Sequence, residues 1–282
     1  MIRSWLYVPG DRPDRMGKAL SGPADAVVLD LEDAVAAAAK DEARRNVLAV
    51  LDSGRTAYVR INDPAAPAGR ADLLALAAAP GSLAGVRVPK CEDPGELRRV
   101  ADLLGVPVFP LVESALGVEN ALALATAHPL VGGISLGEAD LLADLRAARQ
   151  ALAWPRSRIV VAARAAGLPS PAQSVWTAVR DLDGLRADTG AGRAAGFFGR
   201  SVIHPAQIPV VHEACAPDPE ETAWARELLG RFTGAGGTGG EAAWIDASGR
   251  FVDKAVVERA RWLLCLAEPA DRDTRDKESD IR

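Results

Sequence analysis

Several acidic residues stand just after short apolar runs: Asp30-Leu31-Glu32-Asp33, Glu113-Ser114, and Glu138 with Asp140. Arg60 and Asn62 follow another run, Pro89-Lys90 a further one, and His204-Pro205 the last. If these runs are parallel strands of one barrel, all these residues lie at the strands' C-terminal ends, where barrel enzymes hold their active sites. Five carboxylates (Asp30, Glu32, Glu113, Glu138 and Asp140) then converge on one rim. Packing them together costs repulsion unless a cation neutralises them. Oxygen-only ligands suit Mg²⁺, which one or two carboxylates hold with water and substrate completing the shell. Glu113 and Asp140 follow neighbouring runs and can reach one ion. Each residue also has a plainer role open to it. An acid after a strand caps the next helix, Arg60 serves as a structural ion-pair partner, and Lys90 is simply solvated.

The elements that must position these groups are legible as apolar, β-branched runs. They are Ser4–Val8, Ala26–Asp30, Ala57–Ile61, Gly85–Val88, Val108–Val112, Gly132–Leu136, Ser174–Thr177 and Gly199–Val202. Such runs suit strands buried on both faces. Helical patterns separate them. Lys40–Leu51 places Ala43, Val47, Val50 and Leu51 on one face, and Pro94–Leu104 starts with Asp93 as N-cap and Pro94 at the first position. Leu116–Ala127 is apolar at helical spacing, and a long helical stretch over Ala139–Ala166 breaks near Trp154-Pro155. Eight strands alternating with helices predict an α/β fold, a (β/α)8 TIM barrel. A doubly wound open sheet is the alternative, but no glycine fingerprint follows the first strand.

Past residue 215 the character changes. A helix from Pro217-Asp218-Pro219-Glu220 to about Phe232 precedes the glycine-rich Gly234–Gly240. Then come Ala243–Asp246, a turn at Ser248-Gly249, Phe251-Val252-Asp253 and a helix to about Ala267. The expected organisation is a barrel with the metal site over 1–215, a C-terminal helical lid or oligomerisation segment over 216–267, and a flexible polar tail over 268–282.

Composition narrows the function classes. Of 282 residues, 49% are hydrophobic and 25% charged, as in an ordinary globular protein, and the net charge of −5 offers no basic field for nucleic acid. Three scattered cysteines (Cys91, Cys215, Cys265) form no CxxC and fit a reducing cytoplasm. The opening reaches Pro9-Gly10 too soon for a signal peptide, and no apolar run approaches the roughly 18 residues of a membrane span. Gly133-Ile134-Ser135-Leu136-Gly137 matches GxSxG, but Ser135 continues into Leu136 and so reads as strand interior. No zinc pair of helical spacing is present, because Pro205 and Pro209 interrupt His204 and His212.

Several motifs, in order, resemble the citrate lyase beta-subunit family, within the HpcH/HpaI aldolase and CoA-ester lyase superfamily. They are Arg3-Ser4-Trp5-Leu6-Tyr7-Val8-Pro9-Gly10, then Val28-Leu29-Asp30-Leu31-Glu32-Asp33-Ala34-Val35 with Lys40 and Ala43-Arg44. Val59–Asn62, Val88-Pro89-Lys90, Val112–Val118 and Gly199–Pro205 continue the series, so the likeness covers about residues 2–267. The resemblance implies a (β/α)8 barrel binding Mg²⁺ and a CoA or acyl-carrier thioester. It assigns Glu113 and Asp140 to the metal, Glu32 and Asp33 to the metal's water shell, and Arg60 to the thioester and carboxylate oxygens. It also implies that Arg3, Lys90, Arg200 and His204 bind the cofactor portion. Asp253 matches an acid/base on the lid that acts in a neighbouring subunit's site, which implies a homotrimer or a dimer of trimers. Three departures stand out: Ala139 replaces the usual acid before the metal Asp, Arg200 replaces a common lysine, and Arg146–Pro155 is shortened.

The implied reaction is reversible carbon–carbon cleavage of a β-hydroxyacyl-CoA, such as a malyl, citramalyl or citryl thioester, into an acyl-CoA and a 2-oxoacid. A metal-dependent aldolase on free 2-oxo acids and a non-catalytic acyl-CoA-binding accessory subunit are the alternatives. The acyl group and the oxoacid depend on pocket shape, which the sequence does not display.

Overall fold

The computed structural model describes residues 1–78, 81–234, 243–246 and 249–267. Strands and helices alternate from the start: β1 (Ser4–Pro9), α1 (Pro13–Leu20), β2 (Ala26–Asp30), α2 (Lys40–Asp52), β3 (Ala57–Arg60), α3 (Pro67–Ala77). Next come β4 (Leu83–Val88), α4 (Pro94–Leu104), β5 (Val108–Val112), α5 (Ala115–Glu119), α6 (Ala121–Ala125) and β6 (Ser135–Leu136). The series ends with α7 (Glu138–Leu145), α8 (Ala153–Ala165), α9 (Leu182–Ala194), β7 (Arg200–Val202) and α10 (Gln207–Cys215). All seven strands pair in parallel, in the order β6-β5-β4-β3-β2-β1-β7. Parallel neighbours need a crossover, and the intervening helices supply it.

Two compact units result, one from Ile2 to Cys215 and one from Ala216 onward. In the second, α11 (Pro219–Gly234) is followed by the antiparallel pair β8 (Ala243–Ile245) and β9 (Phe251–Asp253), then α12 (Lys254–Ala267). Its own core gathers Ala225, Leu228, Val252, Val257, Ala260 and Leu263. The glycine-rich run beyond Gly234 and the expected tail over 268–282 lie outside the described residues.

Three expectations need correction. The seventh expected strand, Ser174–Thr177, is reduced to one bridge beside it, between Gln173 and Arg200, because Pro169 and Pro171 remove ladder donors just upstream. The single helix over Leu116–Ala127 is two short ones, parted at Asn120, whose side chain donates to Glu92 O at 2.9 Å. The break in the long helical stretch lies at Arg146, in the left-handed region at φ 51°, and not at Pro155. Pro155 sits in the first turn of α8, where a missing N–H costs nothing.

Inside the sheet's curve, Trp5, Tyr58 and Phe109 meet edge to face at centroid distances of 4.8–5.7 Å. Above them Arg87 is 1% exposed. It lies 4.8 Å from the Trp5 ring centroid and 5.6 Å from that of Tyr7. It donates to Ser201 Oγ at 3.2 Å and Ser135 Oγ at 3.0 Å. Ser135 is thus committed inside β6, which removes it from the exposed turn a nucleophile elbow requires.

The N-terminal ends of the strands carry a separate network. Arg3 Nε and NH2 donate to the two Asp25 carboxylate oxygens at 2.9 and 3.0 Å, and Arg3 N donates to Asp25 Oδ2 at 2.8 Å. Asp25 N donates to Ser4 Oγ, which shares a 2.8 Å hydrogen bond with His212 Nε2. Arg3, expected among the cofactor-binding residues, is therefore spent at the opposite end of the sheet from the acidic rim. Arg200, expected beside it in that role, is 1% exposed and bonds Asp188 of α9 and Gln173.

Two measurements test this framework. Gly199 has φ 78°, and a Cβ there would stand 2.5 Å from Ile2 O. Gly199→Ala is expected to destabilise the fold by about 1–3 kcal/mol, the cost of a side chain forced into that region. A urea midpoint equal to wild type would show that the β1–β7 junction yields freely. Burial alone would raise the Asp25 carboxyl, but the hydrogen bonds from Arg3 outweigh it and hold it below the ordinary carboxylate range. A depressed acid stabilises above its unfolded value, about pH 4, and loses that contribution as pH falls through its folded value. Asp25→Asn should therefore lower the melting temperature at pH 7, with the gap to wild type closing as pH falls below the ordinary carboxylate value of about 4.

Candidate active site at the sheet's C-terminal rim

Arg60 is the last residue of β3, in register with Asp30 at the end of β2. That register lets its guanidinium fork onto the buried Asp30 carboxylate, Nε to Oδ1 at 2.7 Å and NH2 to Oδ2 at 2.6 Å. Bidentate geometry fixes the direction of the group as well as its charge. NH1 is left pointing along the rim, 2.8 Å from Glu32 Oε2 and 3.5 Å from Asp33 Oδ2. The ring of Tyr7 supports the same guanidinium at 5.2 Å. Burial would lower the Arg60 pKa, but the Asp30 contacts outweigh it and raise it.

Glu32 and Glu113 are both buried. Among the described residues neither Glu32 oxygen has a hydrogen bond, and ion pairs hold the carboxylate, to Arg60 and to Lys90 Nζ at 3.3 Å. Glu113 Oε2 accepts the Lys90 backbone N–H at 2.9 Å, a contact made with Lys90 in the left-handed region at φ 51°. Burial pushes each carboxyl up to about 7. For Glu113 the charges of Glu32 and Asp140 add to the rise, while Lys90 N–H and Arg60 oppose it. Acids held this far up favour any cation that can take the proton's place.

Gly137 joins β6 to α7 and makes the close approach possible. A Cβ there would lie 2.4 Å from Glu113 Oε1. Glu113 is thereby laid against the turn from which exposed Asp140 projects, three residues on. Among the described residues no group of three His, Cys, Asp or Glu side chains could enclose an ion alone. A pair of carboxylates plus water and ligand is the donor set a hard divalent cation accepts. The Glu32 oxygens, ion-paired but without hydrogen bonds, and the cradle at Gly137 both fit such a charge.

The structure thus brings Arg60, Glu32, Asp33, Lys90, Glu113 and Asp140 to one rim. His204 lies on the exposed loop after β7, its Nδ1 accepting Ala206 N–H at 3.1 Å. Asp253 belongs to the second unit, where its Oδ1 accepts Val256 N–H at 3.1 Å and caps α12. Glu138, expected among the converging carboxylates, is turned aside by Arg156. Sequence reasoning missed the supports: Tyr7 under Arg60, and Lys40, whose Nζ donates to Leu31 O and Glu32 O at 2.7 Å each. It also missed Asp72, buried on α3, which accepts from Asn62 and Arg44 and so steadies the β3 exit. The period-two alternation that points Tyr58 and Arg60 to one face was the available signal for Tyr7 and Arg87.

Known proteins resemble the chain in both sequence and fold. Residues 3–205 match the family described as HpcH/HpaI aldolase/citrate lyase. The chain is 37% identical over 276 residues to a (3S)-malyl-CoA thioesterase of Cereibacter sphaeroides, covering 95% of each. It is 34% identical to a citrate lyase subunit beta-like protein of Deinococcus radiodurans, covering 94% of this chain and 96% of the relative. Protein CitE of Mycobacterium tuberculosis, crystallised with magnesium, acetoacetate and coenzyme A, superposes with a TM-score of 0.82 at 34% identity. That match covers 94% of this chain and 97% of the other. By sequence and by fold, the chain belongs to the HpcH/HpaI aldolase/citrate lyase family.

Proposed function

We propose that the protein is a Mg²⁺-dependent CoA-ester lyase that reversibly cleaves a β-hydroxyacyl-CoA into an acyl-CoA and a 2-oxoacid. One observation carries the reading: buried Glu113 lies against the Gly137 turn near Asp140, with Arg60 locked beside them by Asp30. Relatives named for malyl-CoA and citrate chemistry, and a neighbour crystallised with magnesium and coenzyme A, support the substrate class. Glu113 and Asp140 would hold the ion, and Glu32 and Asp33 would orient its water. When bound, the ion supplies a Lewis acid and a template for the oxoacid carboxylate and its neighbouring oxygen.

The chain's own residues do the rest. A base takes the proton of the substrate hydroxyl, the C–C bond breaks, and its electron pair passes to the thioester oxygen as an enolate. Arg60 stays charged at any working pH and, already oriented by Asp30, stabilises that oxygen without reorganising. Asp253 is the proposed base, delivered from a neighbouring subunit of a homotrimer or a dimer of trimers. Lys90 and His204, both exposed, would meet the polar portion of a CoA.

Likeness to the malyl-CoA thioesterase favours a second reading, hydrolysis of the hydroxyacyl thioester. Products separate the two. Malyl-, methylmalyl-, citramalyl- and citryl-CoA incubated with Mg²⁺ should give an acyl-CoA plus an oxoacid; free CoA plus a hydroxyacid would establish the thioesterase instead. Glu113→Ala should abolish metal-dependent turnover, and wild-type activity in EDTA would discard the metal altogether. Asp253→Asn should lower kcat far more than it changes KM, since asparagine still caps α12. Mixed oligomers of the Glu113→Ala and Asp253→Asn chains should regain activity if each site draws on two subunits. No regain would confine the site to one chain.

A further inference from the structure

Asp140 is exposed, and its side chain takes part in no hydrogen bond or ion pair among the described residues. Its direction is therefore set by the helix that carries it. That helix, α7, lacks a side-chain cap at its start, yet it is tied down at both ends. At the far end Asp144 Oδ2 accepts the N–H of Ala115, two residues past Glu113, at 2.7 Å. At the near end Glu138, in the first turn with Asp140, accepts a two-pronged contact from Arg156 of α8, Nε to Oε1 at 2.7 Å and NH2 to Oε2 at 2.8 Å. Glu138 N also donates to Ser174 Oγ at 3.3 Å.

Arg156 is itself anchored. Its NH1 lies 3.8 Å from Asp188 Oδ1, and Asp188 is bound by Arg149 and by buried Arg200. Burial would raise the Asp188 carboxyl, but the Arg200 and Arg149 contacts hold it low. The chain Glu138–Arg156–Asp188–Arg200 thus runs from the first turn of α7 through α8 and α9 to β7. It closes the side of the sheet where the ladder is thinnest, between two-residue β6 and the lone bridge at Gln173.

We infer that Arg156 is a positioning residue for cation binding: by clamping Glu138 it aims α7 so that Asp140 can share an ion with Glu113. Glu138 is then not a ligand. Its carboxylate is neutralised away from the rim, which leaves Asp140 as the acid α7 supplies. This rests on the reading that Glu113 and Asp140 hold a divalent cation.

The test is Mn²⁺ binding to the full chain, followed by electron paramagnetic resonance without substrate, alongside the melting temperature of the metal-free protein. Glu113→Ala tests the underlying reading: unchanged Mn²⁺ affinity would overturn that reading itself. With that control in hand, Arg156→Met should weaken Mn²⁺ about 10- to 100-fold, the range for partners that orient a metal ligand. Arg156→Lys should recover part of the loss, because an ammonium holds Glu138 at one point rather than two. Glu138→Gln, which keeps one acceptor for Arg156, should weaken binding less than Arg156→Met. A lower melting temperature with unchanged Mn²⁺ affinity in Arg156→Met and Arg156→Lys would reduce the pair to a structural one and overturn the inference. Greater loss from Glu138→Gln than from Arg156→Met would make Glu138 a ligand and overturn it equally. If Arg156→Met does not fold, the lysine and glutamine variants decide.

Discussion

The forked bond between Arg60 and Asp30 is the contact on which the rim depends. It joins the ends of two adjacent strands, so the register of β2 with β3 and the direction of the guanidinium are one fact. A lone buried guanidinium would be costly, and a buried carboxylate no less so. Paired, they leave NH1 of Arg60 facing the acids that follow β2. Removing either partner would strand the other, which is why such pairs resist single substitutions.

Around this pair the rim is built from charges that do not balance locally. Glu32 has two cations and no hydrogen bond, while Glu113 has one backbone N–H and acidic neighbours. The fold tolerates this because the backbone, not the side chains, enforces it. Lys90 accepts a left-handed conformation to present its N–H, and Gly137, lacking a Cβ, leaves the space that the Glu113 carboxylate occupies. Strain of this kind gathers at functional sites when the surroundings over-determine it.

Much of this was legible in the residue order. Strands β1 to β5 and helices α2 and α4 follow from short β-branched runs and from Asp93 with Pro94, whose cap bond to Gly95 N measures 2.8 Å. The rim acids followed from position alone, since a residue that ends a parallel strand has one place to go. What was not legible depends on partners distant in sequence. Nothing local distinguishes Glu138 from Glu113, yet Arg156 claims the first. Nothing in the motif around Arg3 reveals Asp25 across the β1–β2 crossover. The helix break moved from Pro155 to Arg146 because a proline is harmless in a first turn, a matter of where the helix begins.

Arg87 carries a different lesson. Its guanidinium is sealed between aromatic rings, and it holds a serine from β6 and another from β7. Three positions more than forty residues apart in the chain therefore behave as one trait. Losing the arginine alone would leave two hydroxyls stranded in a dry interior; losing either serine would leave a cation short of an acceptor. Divergence at this layer of the sheet is expected to proceed by exchange of the whole trio for an apolar set, so intermediates that swap one member at a time should be poorly tolerated.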